Sequence, residues 1–121
     1  MRNLLAYIPH SSDNGDGVRS AISQAGLLSG LEELDTISKL EEKLRKPLGE
    51  RYSVLLMPQD QNDLDLLISL QKLFESLPVI IHLPDSTKES ISKGHELRPR
   101  YMIFPGDDLS DFSLVLRRLA S

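Results

Sequence analysis

Residues 64–85, LDLLISLQKLFESLPVIIHLPD, change period once, and that change decides the fold. Up to Leu77 the apolar residues return every third or fourth position (Leu64, Leu67, Leu70, Leu73, Phe74), which is the spacing of one helix face. After Pro78 the chain becomes VIIHL, a short and nearly continuous apolar run. A strand reads this way when both faces of its sheet are covered, as in a parallel sheet lined by helices. Pro78 separates the two because the residue before a proline leaves the helical region.

Working outward, the same kind of run occurs at 4–8, 52–57 and 101–104, with a weaker one at 31–34 whose Glu32 and Glu33 suit an edge strand. Helical spacing fills the gaps. Val18, Ala21, Ile22 and Ala25 form a stripe after a possible Asp16 cap and stop at Gly26. Ile37, Leu40 and Leu44 follow Asp35 and Thr36, and Pro47 marks the exit. The third helix is expected to begin near Asn62 or Asp63. Ser86 or Thr87 caps a fourth, which carries only Ile91 and Leu97 as large apolar residues and is weakened by Gly94. Asp107 or Asp108 precedes a broad stripe through Leu109, Phe112, Val115, Leu116 and Leu119, with Arg117 and Arg118 at the negative end of the helix dipole. Strand then helix, five times over, implies an α/β class fold: a three-layer α/β/α sandwich around a parallel sheet.

The 121 residues suit one domain over 1–121, of 40% hydrophobic and 26% charged composition. Fourteen Lys and Arg against eighteen Asp and Glu give a net charge of -4, so nothing draws the chain toward nucleic acid. No apolar run is long enough for a membrane span, and a cytoplasmic setting is expected. With no cysteine, disulfides and thiolate chemistry are absent.

In sheets of this kind the functional crevice lies beyond the carboxyl ends of the strands. The succession YSVLLM, LDLLISLQKLF, PVIIHLPD, HELRPRYMIFPGDD and DFSLVLRRL resembles a response-regulator receiver domain over essentially the entire chain. The resemblance implies a flavodoxin-like sheet of strand order 2-1-3-4-5. It also implies an aspartate acceptor after strand three, an acidic pair holding a divalent cation after strand one, a hydroxyl after strand four and a lysine after strand five. Pro9 and His10 stand at the acidic pair, Met57 at the acceptor, Leu83 at the hydroxyl and Phe104 at the lysine. None supplies a carboxylate nucleophile, hard oxygen ligands or a fixed positive charge. The resemblance is therefore to a degenerate pseudo-receiver, with no enzymatic activity, catalytic residue, metal or cofactor expected, and with Met57, Leu83 and Phe104 packing together in a dry crevice.

Asp13, Asp16, Asp60 and Asp63 rim that crevice and are read as turn and cap residues rather than metal ligands. Asn14-Gly15-Asp16-Gly17 reads as a flexible turn, since it lacks the spacing of a phosphate-binding loop. His82 and His95 read as structural. Two functions compete: a phosphorylation-independent module that binds a kinase, a receiver or an output domain, and a phosphoryl carrier using His10, Asp60 or Asp63. For the first, the candidate contact residues are Arg98 and Arg100 at the entry of strand five and Arg117 and Arg118 on the last helix. Arginines facing arginines across a symmetric contact are unfavourable, so a monomer or weak dimer is expected.

Overall fold

A computed structural model describes residues 3–10, 15–26, 30–46 and 52–120, with backbone alone at 119 and 120. Asp13, Asn14 and Pro47 lie outside the described residues, as does the side chain of Leu119. The strands are β1 (Asn3–Tyr7), β2 (Leu31–Leu34), β3 (Tyr52–Leu56), β4 (Val79–His82) and β5 (Tyr101–Ile103). They alternate with α1 (Gly15–Gln24), α2 (Ile37–Arg45), α3 (Gln61–Ser69), α4 (Lys88–Glu96) and α5 (Leu109–Ala120). All pairings are parallel, in the order β2-β1-β3-β4-β5. That is the order the resemblance implies.

Period-two alternation sorts the strand side chains into two cores. Leu4, Ala6 and Ile8 of the β1 segment face α1 and α5, where Val18, Ile22, Phe112 and Leu116 close over them. Leu5 and Tyr7 face the opposite layer, among Leu40, Leu64, Leu67 and Phe74. Each fully buried Leu or Ile contributes about 1.5–3 kcal/mol, so the two cores outweigh any surface contact.

The local signals hold at several ends. Thr36 accepts from the Lys39 amide and Thr87 from the Ser90 amide, so each caps its helix. The structure differs elsewhere. α3 starts at Gln61 with Asp60 as its cap, its side chain accepting from the Asp63 amide. The leucine stripe then breaks at Leu70, and Gln71–Phe74 is a single turn of 3-10 helix. Spacing by three fits either helix, which is why the stripe hid the break. The glycine-rich segment is not a loop from Gly15 on: α1 begins there, and Gly15 is buried with room for a Cβ only 3.3 Å from Ile8 Cγ2. Asp16 lies in the first turn, paired with Arg19 at 3.1 Å rather than capping.

Gly94 has a packing role as well as a cost. It lets α4 approach the sheet so closely that a Cβ would stand 2.8 Å from Met102 Cε and 2.9 Å from Leu83 Cδ2. The Met102 terminus can swing away, but Leu83 is wholly buried and cannot. Gly94→Val is expected to lower unfolding stability by about 2 kcal/mol, as overpacking does, read as a fall in the urea midpoint at constant slope.

Candidate functional site

The carboxyl ends of β1, β3, β4 and β5 define the crevice. Its backbone is an extension of the sheet: Met57 N donates to Tyr7 O at 3.0 Å, and Leu83 N donates to Ile103 O at 2.9 Å. Because ladder geometry continues, side-chain alternation continues too. Met57, 3% exposed, joins the core beneath α1 and α5, whereas Leu83, 0% exposed, joins the core beneath α3 and α4 with half-buried Phe104 beside it. The sequence places all three in one dry crevice, and this is corrected by the structure: the sheet itself separates Met57 from the other two. Pro9 is buried and His10 is exposed.

The polar groups at the rim are committed to the protein's own structure. Asp60 caps α3, and Asp63 Oδ2 accepts the Tyr7 hydroxyl at 2.7 Å and the Gln59 amide at 3.2 Å. Burial, reinforced by the Asp63 carboxylate, pushes the Tyr7 phenol well above its usual range. His10 Nε2 lies 2.6 Å from Asp35 Oδ2, and the same carboxylate takes Lys39 Nζ at 2.8 Å. The Lys39 bond holds Asp35 below the ordinary carboxylate range. On the β5 side, Asp107 accepts from the Phe104 amide at 2.9 Å and closes the loop through Gly106. Among the described residues no group of three acidic or histidine side chains is arranged to hold a metal ion.

A network that sequence reasoning missed ties α3 to α4 at the rim. Gln61 Nε2 donates to Ser90 Oγ and reaches Asp85 at 3.4 Å, while its Oε1 accepts from Lys93 Nζ at 3.0 Å. Asp85 Oδ1 accepts both the amide and the hydroxyl of Thr87, at 3.1 and 2.7 Å. Hydroxyls from Ser90 and Thr87 hold its carboxyl down, at about 2. Contacts spanning 24 and 29 residues leave no local signal.

His82 is buried, and its Nδ1 donates to the Leu83 carbonyl at 3.1 Å; burial lowers its pKa. His95 is exposed on the last turn of α4. Arg98 and Arg100 are exposed on either side of Pro99, and the Arg100 amide donates to Val79 O at 2.7 Å. Arg117 and Arg118 are both exposed, and Arg117 Nη2 donates to Gln24 O of α1 at 3.0 Å. No helix among the described residues is long and apolar enough to cross a membrane.

No family model and no curated protein matches the chain. Solved structures do. A putative pilus assembly-related protein from Burkholderia pseudomallei superposes with a TM-score of 0.70 at 13% identity, over 99% of this chain and 90% of that one. A response regulator receiver domain from Rhodospirillum rubrum gives 0.61 at 17% identity, over 97% and 90%. A response regulator in red light signaling of R. palustris gives 0.65 at 14%, over 98% and 91%. At such identities the likeness is one of fold: this is the flavodoxin-like fold of receiver domains.

Two measurements check the rim. Tyr7→Phe leaves the partly buried Asp63 carboxylate without its shortest donor and is expected to cost about 1–2 kcal/mol in a denaturant melt. Asp85 titrates lower folded than its ordinary 3.8, so its contribution is complete above that pH and disappears as pH falls toward about 2. Asp85→Asn should be less stable than wild type at neutral pH, with the gap closing between pH 4 and pH 2.

Proposed function

We propose that the chain is a cytoplasmic signalling module of receiver fold that works without phosphorylation, by binding another protein. It catalyses no reaction in this reading. The supporting observation is burial at the strand ends: apolar Met57 and Leu83, almost wholly buried in opposite cores, stand where the resemblance puts the acceptor and the hydroxyl. Converting either to a phosphate-handling group would bury a polar side chain in a packed layer. The lysine position carries Phe104, and the acidic-pair positions carry Pro9 and His10. With a net charge of -4 the partner is a protein rather than nucleic acid: a kinase, a receiver or an output domain. Arg98, Arg100 and Arg118 are exposed for such contacts, and the module acts as a monomer or weak dimer.

One observation favours the second reading, a phosphoryl carrier on His10. Its side chain is 85% exposed and oriented by Asp35 in the manner of an assisted imidazole. Asp60 and Asp63 serve that reading less well, since one caps α3 and the other holds Tyr7.

Incubation with acetyl phosphate and magnesium, followed by intact mass measurement, separates the two. The unmodified mass is expected, together with an amide spectrum unmoved by magnesium and beryllofluoride, because ligands lacking differential affinity shift no equilibrium. A stable adduct abolished by His10→Ala would establish the carrier instead. Beryllofluoride shifts clustered around Met57 and Phe104 would mean that acceptor chemistry persists there.

A further inference from the structure

Among the described residues, His82 is the one buried side chain that changes charge near neutrality. It ends β4 and alternates with Ile80, so its ring lies in the layer that α1 and α5 cover, with Ile103 opposite it on β5. A run of hydrogen bonds crosses the two strand ends here. Nδ1 donates to the Leu83 carbonyl at 3.1 Å, and the Leu83 amide donates to Ile103 O at 2.9 Å. The next amide along, that of Phe104, donates to Asp107 Oδ2 at 2.9 Å and closes the loop that leads into α5.

Two features make this arrangement sensitive to a proton. With the hydrogen on Nδ1, the neutral ring leaves Nε2 bare, and among the described residues no protein group meets it. A second proton would arrive there without a protein acceptor, on a ring packed in the layer of Ile80, Ile103, Phe112 and Leu116. Burial therefore disfavours the charged form. The second feature is a carboxylate within reach of the ring's charge. The charged groups on the elements around this strand end are Asp16 and Arg19 of α1, Asp85 after β4, and Asp107, Asp108 and Asp111 before and in α5. Asp16 is paired with Arg19, Asp85 accepts from Thr87, and Asp108 accepts from the Ser110 amide. Asp107 is the group whose charge acts on His82, drawing it toward the protonated form. It is exposed, and the Phe104 amide is its only partner among the described residues.

We propose that His82 is a proton-operated latch for the β5–α5 loop: neutral, it stays beneath α5 and braces the ends of β4 and β5; protonated, it leaves the apolar layer for Asp107. The proton comes from solvent and settles on Nε2. The Nδ1–Leu83 and Phe104–Asp107 hydrogen bonds break, and an imidazolium–carboxylate pair forms in their place. Because the folded chain favours the neutral ring, the latched state is complete above 6.5, the ordinary value for an imidazole, and is lost as pH falls below it. The loop thus takes one arrangement near neutrality and another in mildly acidic surroundings.

The test follows the imidazole and amide signals of the intact chain from about pH 7.5 to about pH 5, a range in which ordinary carboxylates stay ionised. The His82 ring is expected to titrate with a midpoint below 6.5, and the amides of Leu83, Phe104 and residues 106–108 to move with it. His82→Asn keeps a side-chain donor for the Leu83 carbonyl but takes up no proton, and should hold those amides still across the range. Asp107→Asn removes the receiving carboxylate and should move the ring's midpoint further down; it carries the test if His82→Asn fails to fold. A ring still neutral at pH 5, a midpoint at or above 6.5, amide movements that persist in His82→Asn, or a midpoint unmoved or raised in Asp107→Asn would each overturn the latch. Neither phosphoryl uptake nor partner binding enters the readout, so the latch is judged apart from the proposed function.

Discussion

The parallel ladder that joins β1 to β3, Asn3 opposite Tyr52 through Tyr7 opposite Leu56, is the constraint on which the rest depends. Parallel neighbours require a crossover, each crossover is a helix, and right-handed crossovers distribute the helices over both faces. Both faces are then dry. β1 must therefore be apolar at successive positions, since Leu4 serves one core and Leu5 the other. Polar atoms are pushed to the strand ends, where Tyr7 meets Asp63 and His10 meets Asp35.

The same alternation governs the carboxyl-end crevice. Met57 and Leu83 lie one step beyond adjacent strands, yet they anchor separate layers because each continues its own ladder. Leu83 further bears on α4 through the close approach at Gly94, while Met57 helps seat α1 and α5. Strand ends that elsewhere could hold a site here serve packing, and the polar side chains around them are taken up by the protein's own caps and pairs.

Strands were legible in the sequence because burial on both faces leaves continuous apolar runs; even half-polar β2 matched at Leu31–Leu34. The cap of α4 was legible as Ser86 or Thr87, and Asp35 with Thr36 as the start of α2, because a short polar side chain before an apolar stripe has a local role; packing selects Thr87 and Thr36. The turn of α3 into a 3-10 helix was not, since Leu70 and Leu73 satisfy both periods. At the site, the residues occupying the crevice positions could be read from the succession of elements, but not the face each would take. Tyr7 with Asp63, 56 residues apart, and Gln61 with Ser90, 29 apart, arise only from tertiary packing.

The two outer strands carry a further consequence, for the behaviour of many copies of the chain at high concentration. β2 spans four residues, and its Glu32 and Glu33 are tethered by Lys43 and Arg19. β5 spans three, between Pro99 and Pro105. An open sheet margin invites another chain to add its own strand, and short, charged or proline-bounded margins refuse it. The margins thus guard against fibril growth, and a chain with both glutamates replaced by valine would expose a four-residue apolar template for it.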